Sequence, residues 1–343
     1  MHALRTTAIV LCAYLAGVIG FLGLTYLWLA LDRRRSPRCR PWRALAEEIF
    51  WASLVEITIP VGFFFWPWWW RRPGRLRHRA DGTAADDTAA DGTAADGAPA
   101  EVPTLLLHGW GQNQADWWGL ALRLRARSRT RGRGSLYAMN YWFFGPIQKS
   151  AARLGRTIEQ ICRDTGAERV HLVAHSLGGI VARTYIEHQG GDARVRTLVA
   201  IASPLAGTHR AIGHWGASSR QMKPGSDLLA DLGPPRPPHG VRYHAIWSHS
   251  DGMVVPADSG SLHGAGDELE LDDAGHLTPL LQARTADAIS RWLDASEAAG
   301  AAESTESTES IGAAGATEAT EATEATEATS RTNAEAGAPD DGW

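Results

Sequence analysis

Cysteine is scarce: Cys12, Cys39 and Cys162 lie far apart and in unlike settings. No disulfide framework and no zinc-ligand spacing can be drawn through them. Cys12 lacks the small preceding residues of a lipoprotein cleavage box, so lipid attachment there is not expected. Lysine is almost missing, with only Lys149 and Lys223. The net charge of -4 combines N-terminal arginine clusters with an almost purely acidic tail from Glu297 on, and no basic surface suited to nucleic acid follows from it. Two stretches lack the apolar residues that a core requires. Ala-Ala-Asp-Gly-Thr units fill 80–100, and Thr-Glu-Ala and Ser-Thr-Glu units recur between Glu303 and Thr329. The first is expected to be a disordered linker and the region 295–343 a disordered acidic tail. What remains is an apolar N-terminal region, 1–79, and one globular domain, 101–294, of about 190 residues, an ordinary single-domain size.

Thr6 to Leu31 carries no charge and as a helix could cross roughly 30 Å of hydrocarbon. It exceeds the apolar part of a secretory signal and is followed by Asp32-Arg33-Arg34-Arg35 rather than a cleavage site. An uncleaved transmembrane helix over about 6–31 is therefore expected. A second apolar stretch, about 49–70, contains Glu56, Pro60 and Pro67 and ends in Trp66, Trp68, Trp69 and Trp70. Clustered tryptophan belongs at a membrane boundary, and a mid-membrane carboxylate costs about 2.5 to 3.5 kcal/mol, so this stretch is expected either to span or to lie in the interface. Arginines flank it evenly: Arg33, Arg34, Arg35, Arg38, Arg40 and Arg43 before, Arg71, Arg72, Arg75, Arg77 and Arg79 after. That balance leaves the side of the downstream domain open. The expectation is an integral protein of the bacterial inner (cell) membrane.

The globular domain is organised around Arg169 to Ile186, RVHLVAHSLGGIVARTYI. Val170, Leu172 and Val173 form a β-prone run, and Ile180, Val181, Tyr185 and Ile186 recur at helical spacing. The pattern is strand, abrupt turn, helix, with Ser176 at the corner. Such a corner lifts a hydroxyl clear of the sheet and points the next N–H, that of Leu177, at the hydroxyl's target. Only small neighbours permit it, here Ala174, Gly178 and Gly179. The motif resembles the nucleophile elbow of the α/β-hydrolase superfamily, G-x-S-x-G, with Ala174 in place of the first glycine as in a subset of its lipases.

Other segments resemble that superfamily in order. Val102 to Leu107 reads as a buried strand leading into His108-Gly109-Trp110-Gly111, where the family plan draws a second oxyanion N–H from Trp110. A helical pattern covers Asp116 to Arg127, Leu136 to Met139 is a strand, and Ile147 to Arg163 a helix. Between them Tyr141, Trp142, Phe143 and Phe144 are candidates either for an acyl pocket or for the core. Val195 to Ala202 is a strand followed by Ser203-Pro204-Leu205-Ala206-Gly207-Thr208, similar to the T-P-x-x-G-T turn of lipases. Gly213 to Gly240 is loop-rich and leaves room for only a small cap. Val241 to Trp247 is a strand feeding Asp251, whose competitors for the acid role are Asp258, Asp272 and Asp273. Glu268 to Leu271 is a last strand, and Leu277 to Leu293 a last helix, with His276 between them in GHLTPLL.

The resemblance implies a compact α/β-hydrolase of about six parallel strands between helices, similar to bacterial triacylglycerol lipases and esterases. It implies a catalytic triad Ser176, Asp251 and His276, an oxyanion hole from Trp110 and Leu177, and no cofactor. His108 and His175 are expected to be structural. The activity implied is hydrolysis of carboxylic esters, lipid or acyl esters above all, through an acyl-enzyme. An acyltransferase using the same intermediate and a catalytically silent scaffold that binds lipid or a partner protein are the alternatives. Substrate-binding residues and oligomeric state are not legible.

Overall fold

The computed structural model describes residues 2–50, 74–75, 102–128, 135–211 and 216–302. The second apolar stretch beyond Phe50, the linker expected over 80–100 and the tail beyond 302 lie outside the described residues. The chain divides into two compact units, Met1–Leu293 and Asp294–Trp343.

The first unit is built on one sheet whose strands run in the order β1 (Gly74–Arg75), β3 (Leu136–Met139), β2 (Thr104–Leu107), β4 (Val170–His175), β5 (Val195–Ile201), β6 (Arg242–Ser248) and β7 (Asp267–Leu271). From β2 to β7 every pairing is parallel. The two-residue β1 adds an antiparallel edge through Gly74 opposite Ala138 and Arg75 opposite Tyr137. A parallel sheet buried on both faces needs apolar residues at odd and even positions alike. The central strands supply them: Leu105, Leu107, Leu172, Ala174, Leu198, Ala200, Tyr243 and Ala245 point to one core, while Leu106, Val173, Val199, Ile201 and Ile246 point to the other.

The first core is closed by the helix Ile147–Thr165, through Ile147, Ala151, Leu154, Ile158 and Ile161 at helical spacing, and by the helix Leu177–His188. The second is closed by the helix Trp118–Ser128, by a last helix over 283–302 where it lies in the first unit, and by the N-terminal segment. Two short helices, Gly216–Gln221 and Asp227–Leu232, occupy the region that reads as loop, each too short to show periodicity. After β7 the continuous helix expected over Leu277 to Leu293 is broken. Thr278–Leu281 is a 3-10 turn, Gln282 is extended, and the helix begins at 283.

A helix forms over His2–Leu31, where the uncharged run predicts one, and another over 41–50. Among the described residues no helix is long and apolar enough to cross a membrane. Leu22, Tyr26 and Leu29, spaced by one turn and joined by Ala44, are buried in the second core. The side chains of Ile19, Phe21, Leu24, Leu27, Trp28 and Leu31 are exposed, as are Trp42 and Phe50. Several polar contacts tie the segment down. Arg210 lies 3.9 Å from the centre of the Trp28 ring and 3.7 Å from Asp32. Arg38 meets Glu270 and Asp272 at 2.7 and 2.8 Å, and Arg43 meets Asp273 at 3.1 Å. Arg210 and Asp32 are buried, whereas the Arg38 and Arg43 pairs are largely exposed and contribute little each; together they fix what the segment touches: the chain after β5, the end of β7 and the loop that follows it.

At Gly178 the start of the helix Leu177–His188 passes close to the backbone at the end of β2. A β-carbon there would stand 2.7 Å from the Leu107 carbonyl oxygen and 2.9 Å from that of His108, both rigid backbone atoms. Gly178→Ala is expected to destabilise the protein by about 1 to 3 kcal/mol, as overpacking does, and an unchanged denaturation midpoint in urea would speak against this packing.

Candidate active site

The five residues proposed from sequence come from four separate loops, those after β2, β4, β6 and β7, and each stands at the carboxyl end of a strand. After β4 the chain turns within one residue. Ser176 has φ 52° and ψ -121°, a left-handed conformation costly for any side chain other than glycine. Its surroundings hold it there: its N–H donates to the Ile201 carbonyl at 2.9 Å, and the helix starts at the next residue. Gly178 passes against the backbone of Leu107 and His108, and Gly179 lies against the Ser203 side chain. The elbow therefore needs small residues on both sides for contact reasons. Ala174, fully buried between Leu107 and Ala200 on the neighbouring strands, shows how a methyl is accommodated at the first of them.

Asp251 and His276 converge on this serine. His276 Nε2 is 3.0 Å from Ser176 Oγ, and His276 Nδ1 is 2.9 Å from Asp251 Oδ2 and 3.1 Å from Oδ1. Asp251 is in turn fixed by accepting N–H groups of Met253 at 2.7 Å and Val254 at 3.0 Å. Burial alone would push the imidazole below its ordinary value, but the Asp251 charge, the hydrogen bond to it and the Glu48 charge outweigh this and raise it above 6.5. The ring is thus set up to take a proton when one is offered.

The turn after β2 lies directly beside the serine. A β-carbon on Gly109 would come within 2.9 Å of Ser176 Cβ. Gln112, a residue the sequence reading passed over, holds the turn by accepting the Gly109 N–H at 2.7 Å and facing His175 Nδ1 at 2.7 Å. On its other side His175 Nε2 faces the His276 carbonyl at 3.0 Å. Burial, aided by the charge of His276, pushes His175 well below its ordinary range, so it is neutral and donates to one of the two oxygens at a time. His108 is likewise held neutral by burial, down to about 4, with Nδ1 donating to the Gly109 carbonyl and its ring stacked on Tyr141. Both histidines have the structural setting expected of them.

Of the aromatic run, Tyr141 and Phe143 belong to the first core. Phe144 is half-buried and Trp142 is 53% exposed, and both form one cluster with Trp110 and Phe143. An aromatic wall thus adjoins the Gly109–Trp110 turn. The competing carboxylates are otherwise engaged: Asp272 with Arg38, Asp273 with Arg43 and Arg284, and Asp258 at the surface. Among the described residues no group of three or more His, Cys, Asp or Glu side chains is arranged to hold a metal ion.

A helix-flanked parallel sheet with a strained serine after its third parallel strand in chain order gives the molecule an α/β-hydrolase-like fold. It is lipase/esterase-like in its resemblances. Residues 103–229 match the model of the palmitoyl protein thioesterase family, a span that takes in the Trp110 turn and Ser176 and ends before Asp251 and His276. Among solved structures it is similar to the mature lipase BlEst2 of Bacillus licheniformis, at 15% identity and a TM-score of 0.50 over 57% of this chain and 93% of that one. A monoacylglycerol lipase of Paleococcus ferrophilus aligns at 15% identity and a TM-score of 0.43, over 58% and 97% of the two chains.

The raised pKa of His276 has a kinetic sign. The protonated ring cannot accept a proton, so kcat/KM on an ester is expected to climb with pH through a midpoint above 6.5. An acidic limb centred well below that value in a pH–rate series would contradict the arrangement.

Proposed function

We propose that the protein is a serine hydrolase of carboxylic esters, working through a Ser176-His276-Asp251 triad and an acyl-enzyme. The observation that carries the reading is the 3.0 Å contact of His276 Nε2 with a strained Ser176 hydroxyl, backed by Asp251 at 2.9 Å on the far nitrogen. In the first half-reaction Ser176 Oγ attacks the ester carbonyl and passes its proton to Nε2, while Asp251 stabilises the imidazolium. The negative oxygen is held by the N–H groups of Leu177 and Trp110. Leu177 begins its helix, so its N–H has no carbonyl one turn behind it. Collapse breaks the ester bond, and His276 returns the proton to the leaving alcohol. Water, activated by the same ring, then releases the acid.

The substrate proposed is an acyl ester with a long apolar chain. Support comes from the aromatic cluster Trp110, Trp142, Phe143 and Phe144 beside the turn that receives the oxyanion. The name of the matched thioesterase family makes an acyl thioester a natural second substrate to assay. Ser176→Ala should lower kcat by about 10⁴-fold or more against a chain-length series of p-nitrophenyl esters, and a fluorophosphonate probe should label wild type at Ser176 alone. Full turnover by the alanine variant would remove the assignment. Competing alcohols separate hydrolysis from acyl transfer: a product dominated by the transferred ester would make the protein an acyltransferase.

We further propose attachment to the inner membrane through the N-terminal helix. Its support is the uncharged run from Thr6 to Leu31 and the exposed apolar face of Phe21, Leu24, Leu27, Trp28 and Leu31, adjoined by Trp42 and Phe50. The protein is expected to stay with membranes through a carbonate wash; recovery in the supernatant would refute the attachment.

A further inference from the structure

The helix over 41–50 belongs to the N-terminal segment, yet it carries a carboxylate buried beside the active site. Glu48 is 1% exposed. Its Oε1 accepts the N–H of Leu277 at 2.8 Å, and its Oε2 accepts the hydroxyl of Thr278 at 2.7 Å and the N–H of Thr278 at 3.4 Å. These are the two residues that follow His276. The residue before it, Gly275, is opened for the same contact: a β-carbon there would collide with Glu48 Oε2 and with the Tyr26 hydroxyl. Tyr26, from the helix His2–Leu31, is buried with its hydroxyl facing the His276 and Gly252 amides, though it completes no hydrogen bond with either. The other end of the loop is met by His175 Nε2 at the His276 carbonyl.

Burying a carboxylate is unfavourable unless donors surround it, and every donor gathered by Glu48 comes from the loop of the catalytic histidine. Three donors on two oxygens match the ionised form. The 3-10 turn that follows His276 thus has its opening N–H groups, those of Leu277 and Thr278, satisfied by Glu48.

We propose that Glu48 is a positioning residue, locking the Gly275–Thr278 loop so that His276 reaches Ser176 only while the N-terminal segment is docked. The N-terminal segment is then also a structural part of the active site. This rests on the serine-hydrolase reading.

The test uses the full chain with Glu48→Gln, Glu48→Ala and Thr278→Val, read by esterase kinetics, a pH profile and the rate of fluorophosphonate labelling. KM should stay within about threefold while kcat falls, by about 10²-fold for Glu48→Ala and less for the other two, since a misplacement of about 1 Å has that effect. Groups facing His276 are Asp251 after β6, Glu48 on 41–50, Tyr26 on His2–Leu31, and His175 and Ser176 at the end of β4. Of these, Asp251 and Glu48 raise its pKa, so Glu48→Gln should move the acidic limb of kcat/KM to lower pH. A defect of folding alone would not move it. Glu48→Gln and Thr278→Val combined should cost less than the sum of the two, because each removes the same contact. Should Glu48→Ala fail to fold, the two milder variants still decide. Unchanged kcat, limb and labelling rate in folded variants overturn the proposal, whereas a wild type that the probe never labels at Ser176 overturns the reading beneath it.

Discussion

A serine hydroxyl is a weak nucleophile at neutral pH, and in the proposed mechanism what changes this is the placement of one imidazole between a hydroxyl and a carboxylate. The distances of 3.0 and 2.9 Å on the two sides of His276 leave little room for error. Everything else in the fold can be understood as fixing those two contacts. Parallel strands all deliver their loops to one edge, so Ser176, Asp251 and His276, up to 100 positions apart, arrive together. The strain at Ser176 is then offset by the packing of two glycines and by the rows of apolar side chains on either face of β4.

The N-terminal segment enters the same scheme from outside the sheet. Its apolar stripe covers part of the second core, and its polar groups reach the two loops that hold Asp251 and His276. Arg38 and Arg43 engage Glu270, Asp272 and Asp273, and Ser36 Oγ and the Arg40 N–H meet His249 and Ser250 at 2.8 and 2.6 Å. Arginines that read as markers of membrane topology are therefore partly employed in holding the segment to the protein. Glu48 is the deepest of these contacts, and its charge also reaches the ring of His276.

The elbow was legible because its chemistry is local: strand, glycines and helix sit within one short run. The positions of Asp251 and His276 followed from strand ends and chain order, which a parallel sheet converts directly into place. Gln112 was less visible, since a glutamine after a glycine turn carries no pattern until His175 is seen opposite. Glu48 was invisible. Its partner Leu277 lies 229 residues away, and a glutamate near the end of an amphipathic stretch looks like any solvated one. The edge strand β1 is two residues long, too short for any alternation to register.

The most direct test is a structure of the full chain after reaction with a fluorophosphonate. The account predicts phosphorus bonded to Ser176 Oγ, one phosphoryl oxygen within hydrogen-bond distance of the Leu177 and Trp110 N–H groups, and His276 still seated against Asp251. Phosphorus on another residue, or a phosphoryl oxygen turned to solvent with His276 withdrawn, would contradict it.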